Sequence, residues 1–380
     1  MKKIEPLNLL QSSPGTARST ILYRYGEIYA APKAYIQAAL HANELPAILV
    51  AQHLADLLDE AEIRGQIIGQ IVLVPAANPI GLGQAVDGVH LGRYDLASGQ
   101  NFNRGFVDQA ETLADRIKGE LGSDARQNLQ IIRRTWAVLV SERPPSSELD
   151  SLRRHLMLHA LDADIILDLH SADEAVLHIY MGSARWPDGA DLSAELGSFA
   201  TLLAADSGGE PFDEVFGNIW AKLRGLLGTS HPIPDAALSA TIECRGHADV
   251  CDELAAADAR AIMRFLMRRG VVSGDPGPLP EARCAGTPLE AVDTLIAPSG
   301  GCLVYKAALG TRVQSGDVVA EIVNPLAEQS TLRRVPIRSM TQGVFYQRKL
   351  LRQVRPGQSC GKIAGFDPLP SRRGILLEPK

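Results

Sequence analysis

Between about Ile21 and Gly270, short apolar runs alternate with longer amphipathic ones, and this alternation narrows the possible folds more than any other property of the chain. The strand candidates are Lys33–Leu40, Gln66–Val74, Asp164–Leu169, Leu177–Met181 and Leu238–Cys244. The spacing predicts helices over Leu45–Glu60, with Pro46 suited to a first helical turn, and over Ala110–Leu121, Ala125–Ser141, Ser147–Leu161, Asp191–Asp206, Asp213–Leu227 and Val250–Arg269. Strands this rich in Ile, Val and Leu, read between helices, belong to a sheet buried on both faces, so the expected class is α/β. Three consecutive helical segments, within about residues 105–161, read as an insertion on that core.

A chain of 380 residues is too long for one comfortable core, which predicts a second domain. The alternation stops after Gly270, and the turn-rich stretch Ser273-Gly274-Asp275-Pro276-Gly277-Pro278-Leu279-Pro280 reads as a linker. The expected division is an α/β domain over residues 1–272 and a small all-β domain over 285–380. In the latter, short glycine-punctuated strands such as Gly301–Tyr305, Asp317–Val323 and Gly343–Tyr346 follow one another. Two half-patterns, Gly310–Asp317 and Leu351–Gln358, resemble the halves of a biotinyl/lipoyl-type sandwich. A carrier domain of that type needs a lysine at a hairpin tip, and none occurs between Lys306 and Lys349, so no attachment lysine is expected.

A net charge of −6, with Lys and Arg never in runs longer than a pair, leaves no electrostatic footprint for nucleic acid. The five cysteines share no CxxC spacing and suit reduced thiols. Neither a secretory leader nor a membrane span is apparent, so a cytoplasmic protein is expected, without a membrane partner and possibly as a homo-oligomer.

Chemistry concentrates at strand ends. His41 and Glu44 close one apolar run in an H-x-x-E spacing, and His170 closes another in Asp168-Leu169-His170. Two neutral imidazoles and a carboxylate are a ligand set for a catalytic zinc that keeps one position open. Asp168 falls on the same strand face as His170, where it could hold the second ring nitrogen. His155 and His159, spaced i, i+4, suit a solvated helix face. His53 falls inside a helix, and His90, His178, His231 and His247 stand isolated, although His178 and Tyr180 follow the metal strand closely enough to line a pocket. Gly81-Leu82-Gly83 reads as a turn.

These motifs, H-x-N-E after a strand, Asn103-Arg104 downstream and Asp-Leu-His on a later strand, resemble the succinylglutamate desuccinylase/aspartoacylase family over about residues 20–270. The resemblance implies a zinc carboxypeptidase-like fold, a mixed central sheet with helices on both faces, followed by a β-rich region. It implies one Zn2+ held by His41, Glu44 and His170, and Glu243 as general base. Asn103 and Arg104 would grip the substrate carboxylate, and Arg93 would polarise the scissile carbonyl. Two positions depart from the family pattern. Ala42 stands where glycine usually follows the histidine, and Cys244-Arg245 separate Glu243 from Gly246. The activity implied is zinc-dependent hydrolysis of the amide of a small N-acyl amino acid or related compound. A metallocarboxypeptidase, or a non-catalytic metal-binding protein with a β-sandwich interaction module, are the alternatives.

Overall fold

The computed structural model describes residues 1–370 together with 372, 376 and 377; residues 371, 373–375 and 378–380 of the expected C-terminal domain lie outside the described residues. Nine strands form the central sheet in the order Lys3–Asn8, Ser19–Tyr25, Gln70–Val74, Lys33–Ala38, Ile165–Ala172, Leu238–Gly246, His178–Gly182, Ala200–Ala204 and Gly286–Pro288. Its middle is parallel: Lys33–Ala38 runs alongside both Gln70–Val74 and Ile165–Ala172, and Ile165–Ala172 alongside Leu238–Gly246. His178–Gly182 enters antiparallel to Leu238–Gly246, which makes the sheet mixed.

The strands Lys33–Ala38, Gln70–Val74 and Ile165–Ala172 are buried at every position because both faces are covered. On one face Tyr35, Val72 and Ile166 meet Trp136, Leu152, Phe212 and Trp220 from helices Ala125–Glu142, Glu148–Ala160 and Phe212–Leu227. On the other, Ile36, Ile71 and Leu167 meet Val50, Leu54 and Phe265 from helices Leu45–Ile63 and Asp252–Arg268. Alternate residues of one strand thus feed two cores, as the two-residue period of a strand requires. The three helices read as an insertion form much of the cover on the first face.

One element differs in kind from the sequence expectation. Asp191–Asp206 is not one helix: the helix spans Ala190–Leu196 and stops at Gly197, whose φ of +60° is the left-handed conformation of a helix C-terminus. Ala200–Ala204 then forms a fully buried strand, because its small and apolar residues fit between His178–Gly182 and Gly286–Pro288. The strand expected from Gln66 begins only at Gln70. The edge strand Lys3–Asn8 was not foreseen; it is mostly exposed and holds Pro6, so it carries no continuous apolar signal.

Beyond Gly286 the chain builds two further antiparallel sheets around Leu295, Leu303, Val319, Ile322, Phe345 and Ile363. The half-patterns occupy matching places: Arg312–Val313 and Gln353–Val354 are two-residue strands, each followed by a glycine with positive φ, Gly316 and Gly357. This region is fastened to the central sheet by Gly286–Pro288 and by the pairing of Glu174–Ala175 with Gln347 and Arg348. Apolar contact joins Ala200 and Leu202 to Leu289, Val292 and Tyr346. Among the described residues no helix is long and apolar enough to cross a membrane.

Candidate metal centre

The strand Lys33–Ala38 ends at Ala39, whose φ of +58° turns the chain out of the sheet. His41 follows, and a bond from Glu44 N–H to the His41 carbonyl (3.1 Å) closes a turn that leads into helix Leu45–Ile63. Glu44 occupies the N-cap position, yet its side chain makes no capping bond. Instead its Oε1 lies 3.0 Å from His41 Nδ1 and its Oε2 lies 2.8 Å from His170 Nδ1. The Ser171 N–H donates to Oε2 as well (2.9 Å). All three residues are at least 97% buried, and one ligand atom from each lies within 4.8 Å of the others. His41, Glu44 and His170 therefore come together as the spacing suggested.

The outward nitrogens decide what this cluster fits. His41 Nε2 lies 2.8 Å from Asn101 Oδ1, and His170 Nε2 lies 2.9 Å from Asp168 Oδ2. Each imidazole thus has an oxygen within 3.0 Å of both nitrogens, whereas a neutral ring carries only one N–H. If each ring donates outward, both Nδ1 lone pairs face the Glu44 oxygens, and a cation between them resolves the conflict. This is the outer partnering seen around metal-bound histidine, so the residues present fit a divalent ion. Burial, with Arg93 nearby, holds His41 down to about 4, which keeps it neutral as a ligand must be. Burial acts on His170 in the same sense but is outweighed by Asp168 and Glu44, and its pKa is raised. That proton occupies the place of a cation. Asp168 was anticipated in its role; Asn101 was not, although it belongs to the run Asn101-Phe102-Asn103-Arg104.

The Ala42 departure has a packing counterpart. Ala42 is fully buried, and a Cβ added at Gly81 or Gly92 would lie 2.8 or 2.9 Å from its methyl. The bare α-carbons of Gly81 and Gly92 make the room, and Ala42 N–H donates to Gly92 O at 2.8 Å. Gly92 in turn positions Arg93, whose Nη1 lies 3.2 Å from both Glu44 Oε1 and His41 Nδ1. Beyond Glu243 the second departure places Arg245 at a φ of +68°, the conformation that favours glycine. Arg245 pairs with Asp258 through two bonds of 2.6 and 3.0 Å, and is not committed to Glu243.

Glu243 is directly opposite His170 across neighbouring parallel strands. Its Oε2 is shielded and has no hydrogen-bond partner among the described residues. Burial, reinforced by the charge of Glu44, pushes its carboxyl up to about 7. His41, His170, Glu243, Arg93, Asn103 and Arg104 all line one cavity of about 420 Å3. Within it Asn103 is heavily committed: Oδ1 accepts from Phe212 N–H (2.8 Å), and Nδ2 lies 3.4 Å from His170 Nε2. Arg104 donates from Nη1 to Asn103 O (2.6 Å), while its Nε has no partner among the described residues.

Sequence reasoning left out several lining residues. His247, read as isolated, reaches the cavity with Nε2 3.1 Å from Ser171 O and 3.9 Å from Glu44 Oε1. Asp213 and Thr241 line the wall, and Gln347, Arg348, Lys349 and Lys362 form a roof from the C-terminal sheets. Of the pair His178 and Tyr180, Tyr180 lines the cavity, whereas His178 is buried against Tyr346 with Nδ1 facing Val176 O (2.8 Å). His155 is spent on Asn8 O (2.9 Å), away from the cluster.

Residues 30–133 match the succinylglutamate desuccinylase/aspartoacylase catalytic domain. The chain superposes on a solved putative succinylglutamate desuccinylase/aspartoacylase family protein from Shewanella amazonensis SB2B, with TM-score 0.83, 24% identity, and 95% of this chain and 98% of that one covered. A counterpart from Shewanella frigidimarina gives TM-score 0.83 at 23% identity, covering 96% and 97%. The product-bound ectoine utilization protein EutE (DoeB) from Ruegeria pomeroyi gives 0.68 at 15%, covering 96% and 95%. No match was found among curated proteins. The expected resemblance and fold are thereby borne out.

Proposed function

We propose that this chain, whose residues 30–133 match the succinylglutamate desuccinylase/aspartoacylase catalytic domain and whose fold is shared with solved proteins of that family, is a zinc-dependent deacylase. It would cleave the amide bond of a small N-acyl amino acid or a related N-acylated compound. The observation that carries this reading is the pairing of a buried His41–Glu44–His170 cluster with Glu243, whose Oε2 has no partner among the described residues, in the same cavity. His41 Nδ1, His170 Nδ1 and Glu44 would hold the ion, and two nitrogens with one carboxylate suit zinc. Bound there, zinc would supply Lewis acidity and bring the pKa of water down to about 7.

The chain's own groups divide the remaining work. Glu243, ionised near neutrality, takes the proton of the attacking water and returns it to the departing amine nitrogen. The Arg93 guanidinium donates to the carbonyl oxygen as it gains charge. Arg104, whose side chain lines the cavity, meets a substrate carboxylate with its guanidinium, and Asn103 holds the loop that presents it. The roof of C-terminal residues favours a small acylated compound over a peptide. Five unpaired cysteines suit a reducing compartment such as the cytoplasm.

A panel of N-acyl amino acids and dipeptides, assayed for amine release with the wild type and Glu243→Gln, tests the reading. The expectation is turnover of at least one N-acyl amino acid, lost in the variant by about 10²–10⁴-fold. Full activity in Glu243→Gln, or turnover of peptides alone, would contradict it.

A further inference from the structure

Three neighbouring strands bring polar side chains to one face of the central sheet. Across the antiparallel pair Thr241 stands opposite Tyr180 and Glu243 opposite His178; on the other side Thr241 stands opposite Asp168 and Glu243 opposite His170. The two-residue period of a strand puts all of these side chains on the same face. Tyr180 is therefore the diagonal neighbour of Glu243, a separation of about 7–8 Å that an aromatic side chain can span. Tyr180 lines the cavity together with Glu243, Arg93 and Arg104.

The Tyr180 hydroxyl sits among the groups to which the chemistry is given above. Burial first, and then the charge of Glu243, raise its pKa, so it stays a neutral phenol. Arg93 and Arg104 act on it in the opposite sense, and all three reach it through charge and not through a hydrogen bond. Behind it stands Tyr346 from the C-terminal sheets, whose hydroxyl interacts with that of Tyr180. Tyr346 is fully buried, its ring lies 4.8 Å from that of His178, and its carbonyl accepts from Val176 N–H (3.0 Å). The phenol is thus backed by a fixed side chain.

A secondary amide carries an N–H for which no partner has yet been named. With the substrate carboxylate on Arg104 and the scissile bond at Glu243, that N–H lies between the two. Glu243 has to meet the nitrogen lone pair, which points away from the hydrogen. Other oxygens nearby are engaged: Asn103 Oδ1 accepts from Phe212 N–H (2.8 Å), Glu214 from Ser207 N–H (3.0 and 3.2 Å), and Thr241 bonds with Asp213.

We propose that Tyr180 is a catalytic residue whose phenolic oxygen accepts the N–H of the scissile amide and so turns the nitrogen lone pair towards Glu243. This rests on the deacylase reading above and adds to it the orientation of the leaving nitrogen. As the water oxygen bonds to the acyl carbon, Glu243 takes one of the water protons. The C–N bond then breaks, its electron pair stays on nitrogen and takes the proton from Glu243, and the hydrogen held by Tyr180 remains on nitrogen throughout. The acyl group leaves as a carboxylate carrying the water oxygen, and the second water proton completes the ammonium. Fixing the nitrogen in this way is an orientation effect, and an N–H left facing the wall without an acceptor forfeits it.

N-acetylalanine and O-acetyllactate test it, because they differ only at the scissile position, where the ester has no N–H. Tyr180→Phe should lower kcat/KM for the amide by about tenfold, the scale of one buried hydrogen bond left unmade, and for the ester by less than about twofold. If that protein does not fold, the same amide-to-ester comparison is made with Tyr180→Leu. A loss shared equally by amide and ester, as a structural role or a contact with the carboxylate or carbonyl oxygen would give, would overturn the proposal, as would no loss on either. Calorimetry separates this failure from failure of the deacylase reading. N-acetylalanine should bind Glu243→Gln more tightly than Glu243→Gln/Tyr180→Phe, whereas O-acetyllactate should bind the two alike. Equal weakening of both compounds counts against Tyr180. Absence of turnover of both compounds by the wild type, with the amide-only weakening intact, counts against the chemistry and not against the N–H acceptor.

Discussion

Replacing Asp168 by asparagine exchanges one oxygen for an amide nitrogen beneath His170, and the consequence can be worked through atom by atom. Asp168 is fully buried. One of its oxygens accepts from Gln37 Nε2 (3.0 Å), and the other faces His170 Nε2 (2.9 Å). Gln37 Oε1 in turn accepts from the Tyr35 hydroxyl at 2.7 Å. An asparagine that keeps its oxygen towards His170 presents an N–H to the Gln37 donor. Turning the Gln37 amide to accept it leaves the Tyr35 hydroxyl hydrogen without an acceptor. An asparagine turned the other way donates to His170 Nε2 and moves the ring proton to Nδ1, the nitrogen that faces Glu44. Either outcome strands a buried donor or reverses the tautomer, at a cost of about 1–3 kcal/mol. Outer partners of ligand histidines typically contribute 10–100-fold to metal affinity, or about 1.4–2.7 kcal/mol, so the two scales agree. The assay is zinc competition against a chromophoric chelator, with the thermal midpoint of the metal-free protein read alongside to separate affinity from folding. Zinc affinity in Asp168→Asn within about twofold of the wild type would refute the reasoning, because the outer carboxylate would then have no part in holding His170.

Three further outcomes are expected. Gly92→Ala would place a Cβ 2.3 Å from Asn43 N and 2.6 Å from Ala42 C; backbone cannot yield cheaply, so about 1–3 kcal/mol of stability should be lost together with zinc affinity, as read by thermal melts and metal titration. In metal-free protein Glu243 has a pKa raised to about 7, so between the ordinary carboxylate range and pH 7 the folded state holds a proton that the unfolded state has released. Stability from this group is therefore present below that window and lost as pH rises through it, and the melting-point difference between wild type and Glu243→Gln should shift against the wild type over the window. Glu174→Ala removes the carboxylate that pairs with Arg348 and Arg352 and ties the roof to the strand beside His170; acceptance of longer acyl chains should increase in a chain-length screen, while zinc content stays unchanged.

Much of the cover and the centre of the sheet was legible because burial on both faces leaves unbroken apolar strands, as in Ile165-Ile166-Leu167. Legibility failed where a short segment changes state. Ala200–Ala204 has a helix-compatible composition and becomes a strand only through its neighbours on either side. His41, Glu44 and His170 could be found because each ends an apolar run and one strand period relates Asp168 to His170. Asn101, Asp213, Thr241 and His247 carry no such local signature. Their places depend on loop lacing and on strand register that spacing does not encode. The meaning of Ala42 also emerged only in three dimensions, since the room for its methyl comes from Gly81 and Gly92, dozens of residues away.

The central claim is that the His41–Glu44–His170 cluster holds a zinc ion, and it is tested most directly by the metal content per chain of the purified protein beside that of His170→Ala. The account predicts one zinc per chain in the wild type and none in a variant that still folds by circular dichroism. Equal metal content in the two proteins, or a folded wild type that takes up no zinc when it is supplied, would contradict it.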